Sequence, residues 1–129
     1  SAYLAWRNPR VRNLTWYVWE DEPENAVGGG WQSGVKYLSG ERKPAFSVFP
    51  SPFWAERARR RVARLWGQVR PGDATTVTIE RRSGSSWRRV GEETTDSRGA
   101  FTRLVSISRT TTFRFRWDSG TSARRAVSP

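Results

Sequence analysis

The run Thr112-Phe113-Arg114-Phe115-Arg116-Trp117 limits the possible folds of this chain more than any other feature. Aromatic rings and guanidinium groups alternate strictly. A β-pleat sends Phe113, Phe115 and Trp117 to one face and Arg114 and Arg116 to the other. Burying one such ring stabilises a small domain by roughly 1.5–3 kcal/mol. The three rings are therefore assigned to a core, together with Trp66.

Similar short runs fill the second half of the chain, cut by turn residues at regular intervals. Val62–Arg70 ends at Pro71-Gly72-Asp73. Thr75–Arg82 leads into Ser83-Gly84-Ser85-Ser86, a hairpin turn in which Gly84 takes the positive φ such turns require. Trp87–Val90 and Glu92–Thr95 follow as two strands. Asp96-Ser97-Arg98-Gly99 is another turn, and Ala100–Ile107, Thr111–Trp117 and Thr121–Val127 complete the set. Seven short strands in about 65 residues predict a mostly β protein, a seven-stranded immunoglobulin-like antiparallel β-sandwich. It spans residues 62–129.

Residues 1–61 read as an extension with one strand and one short helix. Ser1–Trp6 has the look of a helix end stopped near Asn8-Pro9. Val11–Trp19 predicts a strand, with Leu14, Trp16 and Val18 alternating with Thr15, Tyr17 and Trp19. Apolar residues on both of its faces predict burial on both sides, against the sandwich or against a second copy of the chain. Gly28-Gly29-Gly30 reads as a flexible loop. Lys43–Phe49 reads as a short helix with Pro44 at its first turn, and Glu56–Arg61 reads as a charged connector.

The absent residue types exclude whole classes of chemistry. No cysteine means no disulfide, thiol nucleophile or thiolate metal site, and no histidine means no imidazole acid, base or ligand. No apolar run is long enough to cross a membrane. The charge is unevenly placed. Residues 1–56 hold six basic and six acidic groups, so residues 57–129 carry the whole net charge of +11. With 21 arginines against two lysines, this bias matches a GC-rich coding sequence as well as it matches a polyanion partner.

Tyr3-Leu4-Ala5-Trp6-Arg7-Asn8-Pro9-Arg10-Val11-Arg12, Gly29-Gly30-Trp31-Gln32-Ser33-Gly34-Val35-Lys36-Tyr37 and Gly40-Glu41-Arg42-Lys43-Pro44-Ala45-Phe46 occur in that order. Together they resemble the last βα unit of secreted actinobacterial glycoside hydrolases with a (β/α)8 barrel. Leu65-Trp66-Gly67-Gln68-Val69-Arg70-Pro71 and Phe113–Trp117 resemble the accessory β-sandwich that often follows such barrels. The resemblance covers nearly the whole chain. It implies a secreted protein associated with polysaccharide degradation, and it implies that Trp19 forms the floor under a bound sugar. The family's two catalytic carboxylates belong to earlier barrel strands that this sequence does not include. It therefore resembles the tail of such an enzyme, as a fragment or as a shorter product with its own use, and no catalysis is expected of it.

Glu20-Asp21-Glu22 and Glu24 are the one cluster of acids. In a strand end, Glu20 and Glu22 would share a face at about 7 Å, a spacing compatible with inverting hydrolysis, but adjacent acids on a loop are ordinarily solvated. The cluster lacks the Asp-x-Asp-x-Asp-Gly pattern of a calcium loop. No catalytic residue, metal ligand or cofactor is assigned. The eight tryptophans point instead to sugar binding, because pyranose rings stack their C–H faces on indoles. Candidate carbohydrate-binding residues are Trp19, Trp31, Trp54 and Trp87, with Tyr17, Tyr37 and Gln32 beside them. The expected ligand is a β-glucan-type polysaccharide. Two other readings stay open. One is a purely structural sandwich. The other is a single-stranded nucleic-acid module in which Arg81, Arg82, Arg88, Arg89, Arg114, Arg116, Arg124 and Arg125 line a groove and Trp87 stacks a base.

Overall fold

The computed structural model describes residues 1–24 and 30–129. The chain divides into two compact units, Ser1–Phe49 and Pro50–Pro129.

The second unit is the antiparallel sandwich. One sheet has the order β1-β2-β5, formed by Phe53–Arg59, Val62–Gln68 and Ala100–Ser106. The other has the order β4-β3-β6-β7, formed by Ser86–Thr94, Thr76–Ser83, Thr111–Trp117 and Gly120–Thr121, with β8 (Arg125–Val127) also paired to β6. The chain crosses between sheets after β2, β4 and β5, as in immunoglobulin-like sandwiches. Phe53, Ala63, Leu65, Val77, Ile79, Phe101, Phe113 and Phe115 interlock in the space between the sheets.

The total of seven strand positions is reached by an exchange. Trp87–Val90 and Glu92–Thr95 are one strand, β4, because a bulge opposite Ile79 and Glu80 absorbs the break in the pattern. In return, Glu56–Arg61 is not a connector. Glu56–Arg59 belongs to β1, which pairs with β2 from Phe53↔Gly67 to Arg59↔Val62. The last strand is split into β7 and β8. Between them the Ser122 hydroxyl accepts the Phe115 N–H at 2.9 Å, replacing a ladder bond by a side-chain one. Trp117 packs against the core as expected. Trp66 is buried, but its neighbours in β2, Leu65 and Gly67, face the core, so the pleat turns Trp66 the other way, between Trp54 and Thr102.

Gly84 closes the β3–β4 hairpin at φ +61°. Gly99 sits at φ +73° in the turn before β5, where Asp96 Oδ1 accepts the N–H groups of Arg98 (2.8 Å) and Ala100 (2.9 Å). A β-carbon on Gly99 would run into the Val69 carbonyl, which itself belongs to a residue bonded to Gly99 O at 2.9 Å. Gly99→Ala is therefore expected to destabilise the sandwich by about 2 kcal/mol or more, from left-handed strain plus displaced backbone. A shift of the urea midpoint corresponding to less than half that value would contradict this account.

The first unit is irregular. Helix α1 (Ala2–Arg7) buries Tyr3 and stops before Pro9, and α2 (Pro44–Val48) starts on Pro44. The strand expected over Val11–Trp19 does not form. That segment pairs with nothing until its end, and Val18 alone within it is buried. An apolar pattern on both faces requires cover on both faces, and single ring contacts, Trp16 with Phe49 and Tyr17 with Trp31, leave Trp16 and Tyr17 exposed, as Leu14 is. Pairing begins only at Trp19–Asp21. Glu20 bridges Lys36 in parallel, and Lys36 bridges Arg42 in antiparallel. Of the expected glycine loop, residues 28 and 29 lie outside the described residues. No helix among those described is long and apolar enough to cross a membrane.

Candidate functional site

Asp21 organises the first unit. It is almost fully buried, and its Oδ1 accepts the Gly34 N–H at 3.0 Å and the Lys43 Nζ at 2.7 Å. Lys43 Nζ also donates to Gln32 O at 3.0 Å. Through Asp21 and Lys43 the chain after Trp19 is tied to the loop before Val35 and to the start of α2. Both bonds fall on Oδ1, so that oxygen is committed to holding the frame together. Glu22 has a related task. Its N–H donates to Trp31 O at 3.0 Å, and its carboxylate accepts the Trp31 N–H at 3.2 Å. Gln32 Nε2 donates to Glu22 O at 2.8 Å, which commits the amide nitrogen and leaves the amide oxygen as the group a hydroxyl can meet.

On this frame stand four exposed rings, Tyr17 (78%), Trp31 (56%), Trp19 (49%) and Tyr37 (45%). They are held in place. Tyr17 and Trp31 meet edge to face, with centroids 5.9 Å apart. Trp19 lies edge-on to Phe46 and Phe49 of α2 at 5.7 and 5.4 Å. Tyr37 carries the Lys43 ammonium 5.1 Å from its ring centre. Contacts of this kind fix a ring's orientation, and each of the four rings still keeps about half of its surface exposed or more. Five of the seven candidate residues, Tyr17, Trp19, Trp31, Gln32 and Tyr37, therefore belong to one small unit built around Asp21.

The other two lie in the sandwich and differ from one another. Trp54 is exposed on β1, opposite Trp66, and its Nε1 donates to Glu56 at 3.3 Å. Trp87 is only partly exposed. The guanidinium carbons of Arg114, Arg82 and Arg124 lie 4.2, 5.5 and 5.7 Å from its ring centre. Its π-face is engaged by cations.

No family model, curated protein or solved structure matches the chain. The chemistry is thus read from the arrangement alone.

Pattern reading missed Asp21, Lys43, Phe46 and Phe49 as site-builders. One signal for Lys43 is present in the composition. The chain uses arginine 21 times and lysine twice. A compact ammonium suits the near-buried position beside Asp21, where a planar guanidinium would need more acceptors.

Proposed function

We propose that the chain is a non-catalytic carbohydrate-binding module that takes a β-glucan-type polysaccharide on the rings of residues 1–49. One observation carries this reading: Tyr17, Trp19, Trp31 and Tyr37 are all exposed, yet each is oriented by a ring or a cation packed against it. Rings that are both open and fixed lose little freedom when a flat ligand stacks on them. The Gln32 amide oxygen and the Glu22 carboxylate border Trp31 and offer acceptors for sugar hydroxyls. An extracellular setting in polysaccharide breakdown belongs to the same proposal and rests on the resemblance of residues 3–46 to a barrel end.

Retention on insoluble β-glucan is the test. Binding should persist from low to high salt, because stacking on a neutral ring releases few counterions. Trp31→Ala and Trp19→Ala should each weaken it by about 2 kcal/mol, roughly thirtyfold, as for a buried aromatic anchor. Retention that vanishes with salt, or that survives both substitutions, would overturn the proposal. The preparation should release no reducing sugar from the bound glucan. Release that disappears in a Glu20→Gln, Glu22→Gln double variant would show that the module is catalytic after all.

A further inference from the structure

The sandwich carries most of the positive charge. Seventeen of the 23 basic residues and seven of the 12 acidic ones lie in Pro50–Pro129, a net of +10. Part of it is concentrated on the outer face of the five-stranded sheet. The β3–β4 hairpin sets Arg82 directly opposite Trp87, and the β3–β6 register sets Arg114 opposite Glu80. The segment between β7 and β8 adds Arg124. Glu80 is 8% exposed and accepts Arg114 Nε at 2.6 Å, with Arg116 Nη1 at 3.7 Å from its other oxygen. Glu80 thus pairs with Arg114 and Arg116, while Arg82 and Arg124 stand with Arg114 around Trp87, so four guanidiniums and one carboxylate leave the group a charge of +3. The nearby pair Arg89–Glu92 neutralises itself at 2.9 Å.

The guanidiniums around the ring are aimed rather than spent. Arg114 uses Nε on Glu80, and Arg82 uses Nε on Gly84 O at 2.8 Å. Among the described residues, the Nη groups of Arg82, Arg114 and Arg124 make no hydrogen bond. Trp87 holds all three by its π-face. Their remaining N–H pairs have the fork geometry that matches carboxylate and sulfate oxygens.

We infer that this face of the sandwich, centred on Trp87, binds an acidic polysaccharide bearing carboxylate or sulfate groups along its chain. Single-stranded nucleic acid fits less well. It needs a ring free to stack a base, and the Trp87 ring is already covered by guanidiniums. An acidic glycan carries its charges on the sugar rings and needs only the forks. This inference does not depend on sugar stacking by residues 1–49.

The experiment uses the full chain in affinity electrophoresis with four probes: polygalacturonate, dextran sulfate, unmodified dextran and a thymidine oligonucleotide. Binding to at least one acidic polymer, and none to dextran, is expected. Comparison of the two acidic polymers tells carboxylate from sulfate. The double variant Arg82→Ala, Arg124→Ala removes two exposed side chains. It should lose at least about tenfold in affinity and flatten the salt dependence by roughly two released ions. Arg59→Ala with Arg60→Ala removes the same charge at the β1–β2 turn and should lose less than about twofold. Trp31→Ala should leave acidic-polymer binding unchanged. An equal loss in the two double variants reduces the effect to bulk charge and overturns the site. Tighter binding of the oligonucleotide than of either acidic polymer, or no binding of the acidic polymers, also overturns it.

Discussion

Phe115→Ala is expected to destabilise the sandwich by about 3–5 kcal/mol, the cost of removing a fully buried phenylalanine and leaving a cavity. Phe115 has no exposure, and its ring is where the two sheets meet. It stands edge-on to Phe53 of β1 at 5.5 Å and to Phe101 of β5 at 5.1 Å, both from the opposite sheet. It also leans on Trp117 of its own strand at 5.6 Å. No neighbour can fill the space, because Gly67 already lets Phe101 and Phe115 approach the β2 backbone where a β-carbon would collide with both. A domain of this kind typically has about 5–15 kcal/mol of net stability, so the variant should sit near the edge of folding. Chemical denaturation followed by far-ultraviolet circular dichroism measures it. A loss below about 1.5 kcal/mol would mean that Phe115 is not the junction of the sheets.

Asp21→Ala should cost about 3 kcal/mol and abolish glucan retention in the same step. The substitution leaves the Lys43 ammonium, itself largely buried, with Gln32 O as its remaining acceptor, and it orphans the Gly34 N–H. Breaking one side of a buried ion pair is costly because the other charge stays desolvated. Asp21→Asn separates the two roles of the carboxylate. Its side-chain oxygen still accepts the Gly34 N–H, while the charge opposite Lys43 is gone. The expected order of stability is wild type, then Asn, then Ala, and glucan retention should follow the same order. Full retention by a destabilised Asp21→Ala chain would detach the exposed rings from the frame that we assign to them.

The reach of sequence reading differs between the two units. In the sandwich, β6 coincides with the alternating run Thr111–Trp117, and β3 and β5 end within a residue of their predicted bounds. Turn residues mark the hairpins because only they accept the backbone angles there. β1 escaped notice because Trp54-Ala55-Glu56-Arg57-Ala58-Arg59 reads as polar on both faces. It is an edge strand, paired on one side only, and it sends Phe53 into the core near one end. Val11–Trp19 errs in the opposite direction. Its pattern is strand-like, but a strand exists only where a partner offers backbone groups, and a pattern carries no information about the partner.

For the candidate site, the sequence by itself determined which side chains exist to do the work: many indoles, a cluster of acids beside Trp19, and no imidazole or thiol. It also determined the sandwich, since period-two alternation and turn chemistry are local properties written into adjacent residues. Only the tertiary structure decided which of those side chains meet. Asp21 and Lys43 are 22 residues apart in sequence and 2.7 Å apart in space. Arg82, Arg114 and Arg124 reach Trp87 from separate segments of one sheet. Such meetings follow from register and crossover, which are set by the packing of the whole chain, so no local pattern encodes them.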